Sequence, residues 1–291
     1  MVLSRGDAVM PPRVASYMSS PVITASKNDS LAYIRNLMIR HKVSKIVIVD
    51  NSNVIGMISR SDFIRVVFNK RRYIKPLTNI LAYEIMTSPV YAIQPGRTIK
   101  AAAQAMLKRN IGSLLVLDKN GKLQGIITRT DLVRAYAERY YGCYKVSDFM
   151  SDKVPIVHVT HSLYYVIDLM QETGLGKAVV VEGNKPIGVI TKVDIAFLNI
   201  PSLIRSVSIK YYKRPGYTGR RFEGIVRLYT IPLAGDLMTP DPITVRPEED
   251  LAIAADIMVK NGIGTLPVTS SEGDLVGLLT KKDVIKALRR L

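Results

Sequence analysis

Tryptophan is absent from this sequence and cysteine occurs once, at Cys143. A single thiol excludes an internal disulfide framework. Histidine is nearly as scarce: His41, His158 and His161 are the only three, and neither they nor Cys143 fall at metal-ligand spacing. No apolar run is long enough to span a bilayer. The opening residues, Met1 to Asp7, lack the charged start, apolar stretch and small-residue cleavage site of a secretory signal. A cytoplasmic chain with no membrane contact is the expectation. Acids are also few: 24 Asp and Glu stand against 41 Lys and Arg, a net charge of +17. Thermophilic surface chemistry enriches Glu along with Lys, and here the acids are too few to pair with the bases. Such an excess favours polyanionic partners and salt-sensitive binding.

What the sequence has in quantity is repetition. Gly125-Ile126-Ile127-Thr128-Arg129-Thr130-Asp131 recurs as Gly56 to Asp62, Gly188 to Asp194 and Gly277 to Asp283. Each copy places a glycine before an apolar pair, then a hydroxyl residue, a base, one more residue and an aspartate. Upstream, an apolar residue and methionine open each repeat: Tyr17-Met18, Ile85-Met86, Phe149-Met150 and Leu237-Met238. A second methionine follows at Met38, Met106, Met170 and Met258, and the distance from first methionine to aspartate is 44 or 45 residues in every copy. Chance does not hold that register, so the repeat is the unit of structure.

Within the second repeat, Pro89 to Ile93 reads as a short extended piece closed by Pro95-Gly96. Thr98 to Arg109 carries Ile99, Ala102, Ala103 and Met106 at helical spacing. Asn110-Ile111-Gly112 ends that helix, with Gly112 suited to a left-handed turn. Ser113 to Leu117 and Leu123 to Thr128 are strands around a hairpin turn, Asp118-Lys119-Asn120-Gly121, and a closing helix follows from Asp131. The unit is β-α-β-β-α, an α/β (α+β) fold. One copy buries too little by itself, so copies are expected to pair sheet against sheet.

Serine or threonine three residues before an aspartate at a helix start has two readings. One is a capping box, in which Thr128 caps the helix and Asp131 bonds back to free amides. The other is a ligand site: free amides, a hydroxyl and a base can hold a phosphate, and a carboxylate one turn on can accept from a ribose diol. No catalytic constellation accompanies the motif, and the chain is expected not to be an enzyme. Gly174-Leu175-Gly176-Lys177 lacks the spacing of a phosphate loop and reads as a helix-ending turn.

Apolar-Met, the proline-bearing strand, the helix with its methionine and Gly-x-x-Ser/Thr-x-x-Asp together resemble the cystathionine-β-synthase (CBS) domain. The resemblance covers residues 12–70, 80–138, 144–198 and 232–291. It implies two Bateman modules of two repeats each, forming a disc within one chain or across a homodimer. It also implies an adenosyl effector (AMP, ADP, ATP or another adenosyl ligand) and no required cofactor. Carried over residue by residue, Asp62, Asp131, Asp194 and Asp283 are ribose ligands, and Ser59, Thr128, Thr191 and Thr280 their polar partners. Arg60, Arg129, Lys192 and Lys281 are phosphate candidates. Repeat three lacks the early proline, and repeat one has Arg40 to Lys45 where others place glycine, so Thr128/Asp131 and Thr280/Asp283 lead.

Residues 199–231 interrupt the repeats. This insertion carries Lys210, Tyr211, Tyr212, Lys213, Arg214, Tyr217, Arg220 and Arg221, and the linker between repeats one and two adds Arg71 and Arg72. Bases with interleaved tyrosines suit phosphate contact and base stacking, and an irregular loop suits single-stranded or structured RNA. The expected protein is a nucleotide-responsive regulator resembling archaeal multi-CBS proteins that bind ribosomal subunits and hold them inactive. The alternatives are a sensor resembling the γ subunit of AMP-activated kinase, acting on a partner enzyme, and a DNA-binding regulator.

Overall fold

The computed structural model describes residues 11–51, 53–68, 76–196, 207–212, 223–228 and 232–291. Repeat one runs β1 (Thr24–Ser26), α1 (Leu31–Arg40), β2 (Lys45–Asp50), β3 (Asn53–Ser59) and α2 (Arg60–Phe68). A short α3 (Ala82–Ile85) opens repeat two, followed by β4 (Ala92–Ile93), α4 (Ile99–Lys108), β5 (Ser113–Leu117), β6 (Leu123–Thr128) and α5 (Arg129–Arg139). Repeat three is β7 (Ile156–His158), α6 (Leu163–Glu172), β8 (Lys177–Glu182), β9 (Lys185–Thr191) and α7 (Lys192–Ala196). Then come β10 (Val207–Tyr212) and β11 (Glu223–Leu228). Repeat four has α8 (Ala234–Leu237), β12 (Thr239–Pro240), α9 (Leu251–Lys260), β13 (Thr265–Thr269), β14 (Leu275–Thr280) and α10 (Lys281–Arg290). The chain divides into two compact units, Met1–Lys153 with Ile243–Leu291, and Val154–Pro242.

Local chemistry sets these elements. The first strand of repeats one, two and three lies parallel to the second, because a helix carries the chain back across the sheet, and the next strand returns antiparallel. Ser30, Thr98 and Ser162 cap their helices by accepting from Tyr33, Ala101 and Tyr165 amides, and Asp250 does so from Ala252. The turn before β6 has Gly121 at φ 80°, with Asp118 Oδ1 accepting from the Asn120 and Lys122 amides. One expectation is corrected. Asn110, at φ 51°, makes the left-handed turn after α4; Gly112 has ordinary φ. A Cβ on Gly112 would stand 3.5 Å from Lys45 Nζ and 3.9 Å from Arg129 Nε, ordinary contact distances.

The repeats trade their opening segments. Ser19 exchanges two backbone hydrogen bonds with Ile126 of repeat two, and Thr87 exchanges two with Met57 of repeat one. Ser151 does the same with Leu278, and β12 pairs with β9. This exchange explains the two strongest repeated letters. A Cβ on Gly125 would sit 2.8 Å from Met18 Sδ and 2.9 Å from the Ser19 carbonyl; on Gly277 it would sit 2.9 Å from Met150 Sδ. Gly56 stands likewise against Met86, and Gly188 against Met238. Methionine and glycine are therefore two halves of one contact.

Cores follow the exchange. Ile80, Ala82 and Ile85 of repeat two close the core of repeat one around Leu31, Ile34, Met38, Ile46 and Phe63. Val14 and Tyr17 of repeat one enter the core of repeat two. Between the sheets of repeats one and two lies a smaller apolar cluster of Val47, Leu115 and Ile126, so sheet-on-sheet packing is borne out for this pair. Repeats two and four meet through helices: α5 packs on α9 and α10, and α10 on α4. Ala102, Ala103, Ala135, Ala254, Ala255 and Ala287 are all buried there, and small side chains permit that close approach.

Candidate functional site

At every repeated motif the carboxylate closes a helix cap. Asp131 Oδ2 accepts from the Thr128 amide and hydroxyl, both at 2.8 Å. Asp62 binds Ser59 the same way at 2.7 Å, Asp194 binds Thr191 at 2.7 Å, and Asp283 accepts from Thr280 at 3.0 and 2.6 Å. A negative charge in the first turn also complements the helix dipole. Each of these four pairs is thus brought together, as the capping reading requires.

The second carboxylate oxygen carries a feature the motif did not announce. Arg65 Nη2 reaches Asp62 Oδ1 at 3.1 Å and also donates to the Ile85 carbonyl of repeat two. Arg134 Nη2 reaches Asp131 Oδ1 at 3.2 Å and donates to the Tyr17 carbonyl of repeat one. The two arginines are reciprocal clamps on the exchanged segments. Lys286 Nζ meets Asp283 Oδ1 at 2.7 Å. All three lie three residues after the aspartate, where repeat three has Phe197. That spacing is readable in the sequence. Asp62, Asp131 and Asp283 are buried, and Asp194 is half-buried.

The bases of the motif are held by a shared geometry. The amides of Arg60, Arg129, Lys192 and Lys281 donate to the carbonyls of Ser44, Gly112, Gly176 and Gly264. Their side chains then diverge. Arg129 donates from Nη2 to the Ile111 carbonyl at 3.0 Å, while its Nε is buried with no hydrogen-bond partner among the described residues. Lys281 Nζ donates to Thr130 Oγ1 at 3.0 Å, which places the base of repeat four at the motif of repeat two. Lys192 instead lays its methylenes over Gly176.

Lys45 joins this group from the start of β2. Its Nζ lies 3.4 Å from the Gly112 carbonyl oxygen. Burial, followed by Arg129, with lesser pushes from Lys281 and Arg60, lowers its pKa to about 8 against the opposing pull of Asp131. Arg129 and Lys281 are pushed down as well, chiefly by burial. Lys45 and Lys281, from repeats one and four, thus lie with Arg129 near one carboxylate that already serves a cap and Arg134. Lys45 carried no sequence signal, because β2 opens with lysine in repeat one and the matching residues are Ser113, Lys177 and Thr265.

In the insertion, β10 and β11 form an antiparallel ladder in which Lys210 stands opposite Ile225, Tyr211 opposite Gly224 and Tyr212 opposite Glu223. The irregular loop expected there is corrected at residues 207–212 and 223–228 alone. Val207, Ile209, Tyr211, Ile225 and Val226 supply the β-branched and aromatic residues that favour strands. Lys213, Arg214, Tyr217, Arg220, Arg221, Arg71 and Arg72 lie outside the described residues. Among the described residues no helix is long and apolar enough to cross a membrane. No group of three or more His, Cys, Asp or Glu among them could hold a metal ion.

Known proteins share this organisation. Protein MJ1225 of Methanocaldococcus jannaschii is 24% identical over 277 residues, 91% of this chain and 94% of that protein. Its crystal structure, proposed as an archaeal homologue of g-AMPK, superposes with a TM-score of 0.75 at 22% identity, covering 94% of this chain and 99% of the other. A conserved protein of Pyrococcus horikoshii has the same fold, with a TM-score of 0.64 at 21% identity over 95% of this chain and 99% of its own. A 33.4 kDa protein in a ribosomal RNA operon of Thermofilum pendens is 25% identical over 266 residues, 87% of this chain and 83% of that one. The family model for the CBS domain matches residues 14–69, 82–138, 146–198 and 234–290. With four such domains along most of its length, the chain belongs to the CBS domain family.

Proposed function

We propose that this chain is a non-enzymatic regulator that binds an adenine nucleotide at its helix starts and acts by holding a polyanionic partner. The observation that carries the first half is the gathering of Lys45, Arg129 and Lys281 beside one already engaged carboxylate. Charges are seldom kept this close without an anion to meet them. Phosphate groups resting there would bring the ribose toward Thr128 and Asp131, with Thr280 and Asp283 forming the second pair. Asp131 and Asp283 each already receive three hydrogen bonds or ion pairs, so capturing a ribose diol displaces Arg134 or Lys286 from Oδ1. Calorimetric titration with AMP, ADP and ATP tests this. Asp131→Ala and Asp283→Ala should remove binding at their sites, and unchanged titrations would leave these residues as caps alone.

For the partner we favour RNA of the ribosomal subunits, with inhibition or storage of ribosomes as the outcome. Support comes from the +17 charge, the tyrosine-arginine insertion and the ribosomal RNA operon that holds the Thermofilum pendens relative. Charge and composition carry this part, since residues 213–222 lie outside the described residues. Sedimentation with ribosomal subunits should show association that falls steeply with salt and weakens in Arg214→Ala/Arg220→Ala/Arg221→Ala. No association at low salt would turn the reading to a partner enzyme, for which full-length likeness to the proposed g-AMPK homologue is the support.

A further inference from the structure

The end of the repeat-two sheet that carries Thr128 also carries exposed groups the repeated motif does not use. Strand β4 runs parallel to β5 and β6 returns antiparallel, so Tyr91, the turn from Lys108 to Gly112 and Thr128 lie together there. The Arg109 guanidinium lies over the Tyr91 ring, 4.7 Å from its centroid, and Tyr91 is 44% exposed. Repeat four reaches the same end twice: Lys281 Nζ donates to Thr130 Oγ1 and Lys282 Nζ to Asn110 Oδ1, each at 3.0 Å. Lys108, Arg109 and Lys282 form no ion pair among the described residues. A helix C-terminus favours a base wherever it occurs, but that leaves the ring and Lys282 unexplained. The arrangement also belongs to repeat two alone. Counted from the first methionine, the other repeats have Ile23, Pro155 and Ile243 in place of Tyr91. Counted from the second, repeat three has Glu172 and Thr173 for Lys108 and Arg109. Repeat four has Lys260, which is paired with Asp256, and Asn261.

A planar guanidinium on an exposed ring offers flat faces, and unpaired bases stack on aromatic rings and arginine planes alike. Lysines beside that platform supply point charges for a phosphate backbone. An acidic peptide would meet the charges and leave the flat faces without a function. A duplex keeps its base faces inside its own stack. We propose that this end of repeat two binds single-stranded RNA, with bases on Tyr91 and Arg109, phosphates on Lys108 and Lys282, and the strand excluding the nucleotide from Thr128. This rests on the nucleotide and RNA readings above, and adds where the strand lies and how the nucleotide governs it. Exclusion follows from position: Lys281 and Lys282 are consecutive, and Lys281 stands at Thr130, just past Thr128. Two phosphate chains brought that close repel each other within the screening length of salt, about 8 Å. Nucleotide therefore releases RNA, and RNA releases nucleotide.

The experiment is fluorescence anisotropy of the full chain with a labelled oligouridylate of roughly 12 nucleotides, single-stranded or annealed to its complement. Uridine keeps adenine out of the single strand, so its bases cannot stand in for the nucleotide. The wild type should bind the single strand tighter than the duplex. Tyr91→Ala should weaken the single strand about tenfold, and Tyr91→Phe should keep the wild-type affinity. Lys108→Ala and Lys282→Ala should each lower the slope of log affinity against log salt by about 0.7, and Tyr91→Ala should leave that slope unchanged. Saturating ATP should weaken RNA binding by the wild type about tenfold. Thermal melts matching the wild type confirm that the variants fold. Tyr91→Ala binding as the wild type does, or duplex bound as tightly as single strand, overturns the surface while the RNA reading stands. Polyglutamate displacing the RNA, with both lysines needed and Tyr91 not, overturns it in favour of an acidic protein. RNA affinity unchanged by ATP that calorimetry shows to be bound overturns the exclusion. No RNA association at low salt defeats the RNA reading and this proposal together. If no ATP binds, the nucleotide reading fails and the exclusion with it, and the Tyr91 comparison alone decides the surface.

Discussion

The helix starts at Thr128 and at Thr191 carry the same motif and the same cap, with hydrogen bonds of 2.7 to 2.8 Å from hydroxyl and amide to the aspartate. Around the first, Arg129 is joined by Lys45 and Lys281, Asp131 is buried, and Arg134 ties the carboxylate to the opening segment of repeat one. Around the second, Lys192 lies along Gly176 and Asp194 is half-buried, and the sequence has phenylalanine three residues after the aspartate. The motif therefore encodes the cap, and the neighbours decide whether the cap is also a charged site.

The comparison can be broken most strongly at its glycines. Gly125→Ala drives a Cβ into the Ser19 carbonyl as well as Met18, and backbone cannot step aside, so about 3 kcal/mol should be lost. Gly188→Ala meets only atoms of the Met238 side chain, which can turn away, and should cost about 1 kcal/mol. Chemical denaturation of both variants reads the difference; equal losses would mean the exchanged segments are not held as described.

The aspartates come next. Asp131→Asn should cost about 2 kcal/mol, because it weakens a cap and strips Arg134 of its partner, whereas Asp194→Asn should cost about 1 kcal/mol for the cap alone. Arg134→Ala removes the clamp from repeat two. Its side chain is 44% exposed, so the loss should be about 1 kcal/mol. Thermal melts check all three, and an Asp194 variant as costly as Asp131 would erase the distinction.

The smallest expected effect is in pH. Lys45 has a folded pKa of about 8 against 10.5 unperturbed, so between those values the unfolded chain binds more protons than the folded one. Stability of the unliganded protein therefore rises with pH through that window, and below pH 8 the full penalty of the buried charge is present. Lys45→Ser should flatten the rise, and denaturation midpoints at pH 7.5 and pH 10 measure it. Lys192→Ser, in the other helix start, should leave it unchanged.

Much of this was legible in the sequence. Periodic methionine, glycine and Ser/Thr-x-x-Asp recur because each marks a contact repeated in space, and a contact made four times leaves four traces. Arg65, Arg134 and Lys286 left a trace too, at a constant three residues after the aspartate. Lys45 left none. Its significance comes from strand pairing and from the approach of repeats one, two and four, and such long-range placement has no period to read. Gly112 shows the same limit: its presence was visible, but the left-handed turn falls at Asn110. In the insertion, composition drew attention to the bases and away from the alternating residues that build a ladder.

The central claim is that the cations beside Thr128, not the repeated carboxylates by themselves, make a nucleotide site. A crystal structure of the full chain grown with a non-hydrolysable ATP analogue tests it most directly. The account requires phosphate density within hydrogen-bonding distance of Lys45 Nζ, Arg129 and Lys281 Nζ. Nucleotide bound with its phosphates elsewhere, and those three side chains arranged as they are now, would contradict it.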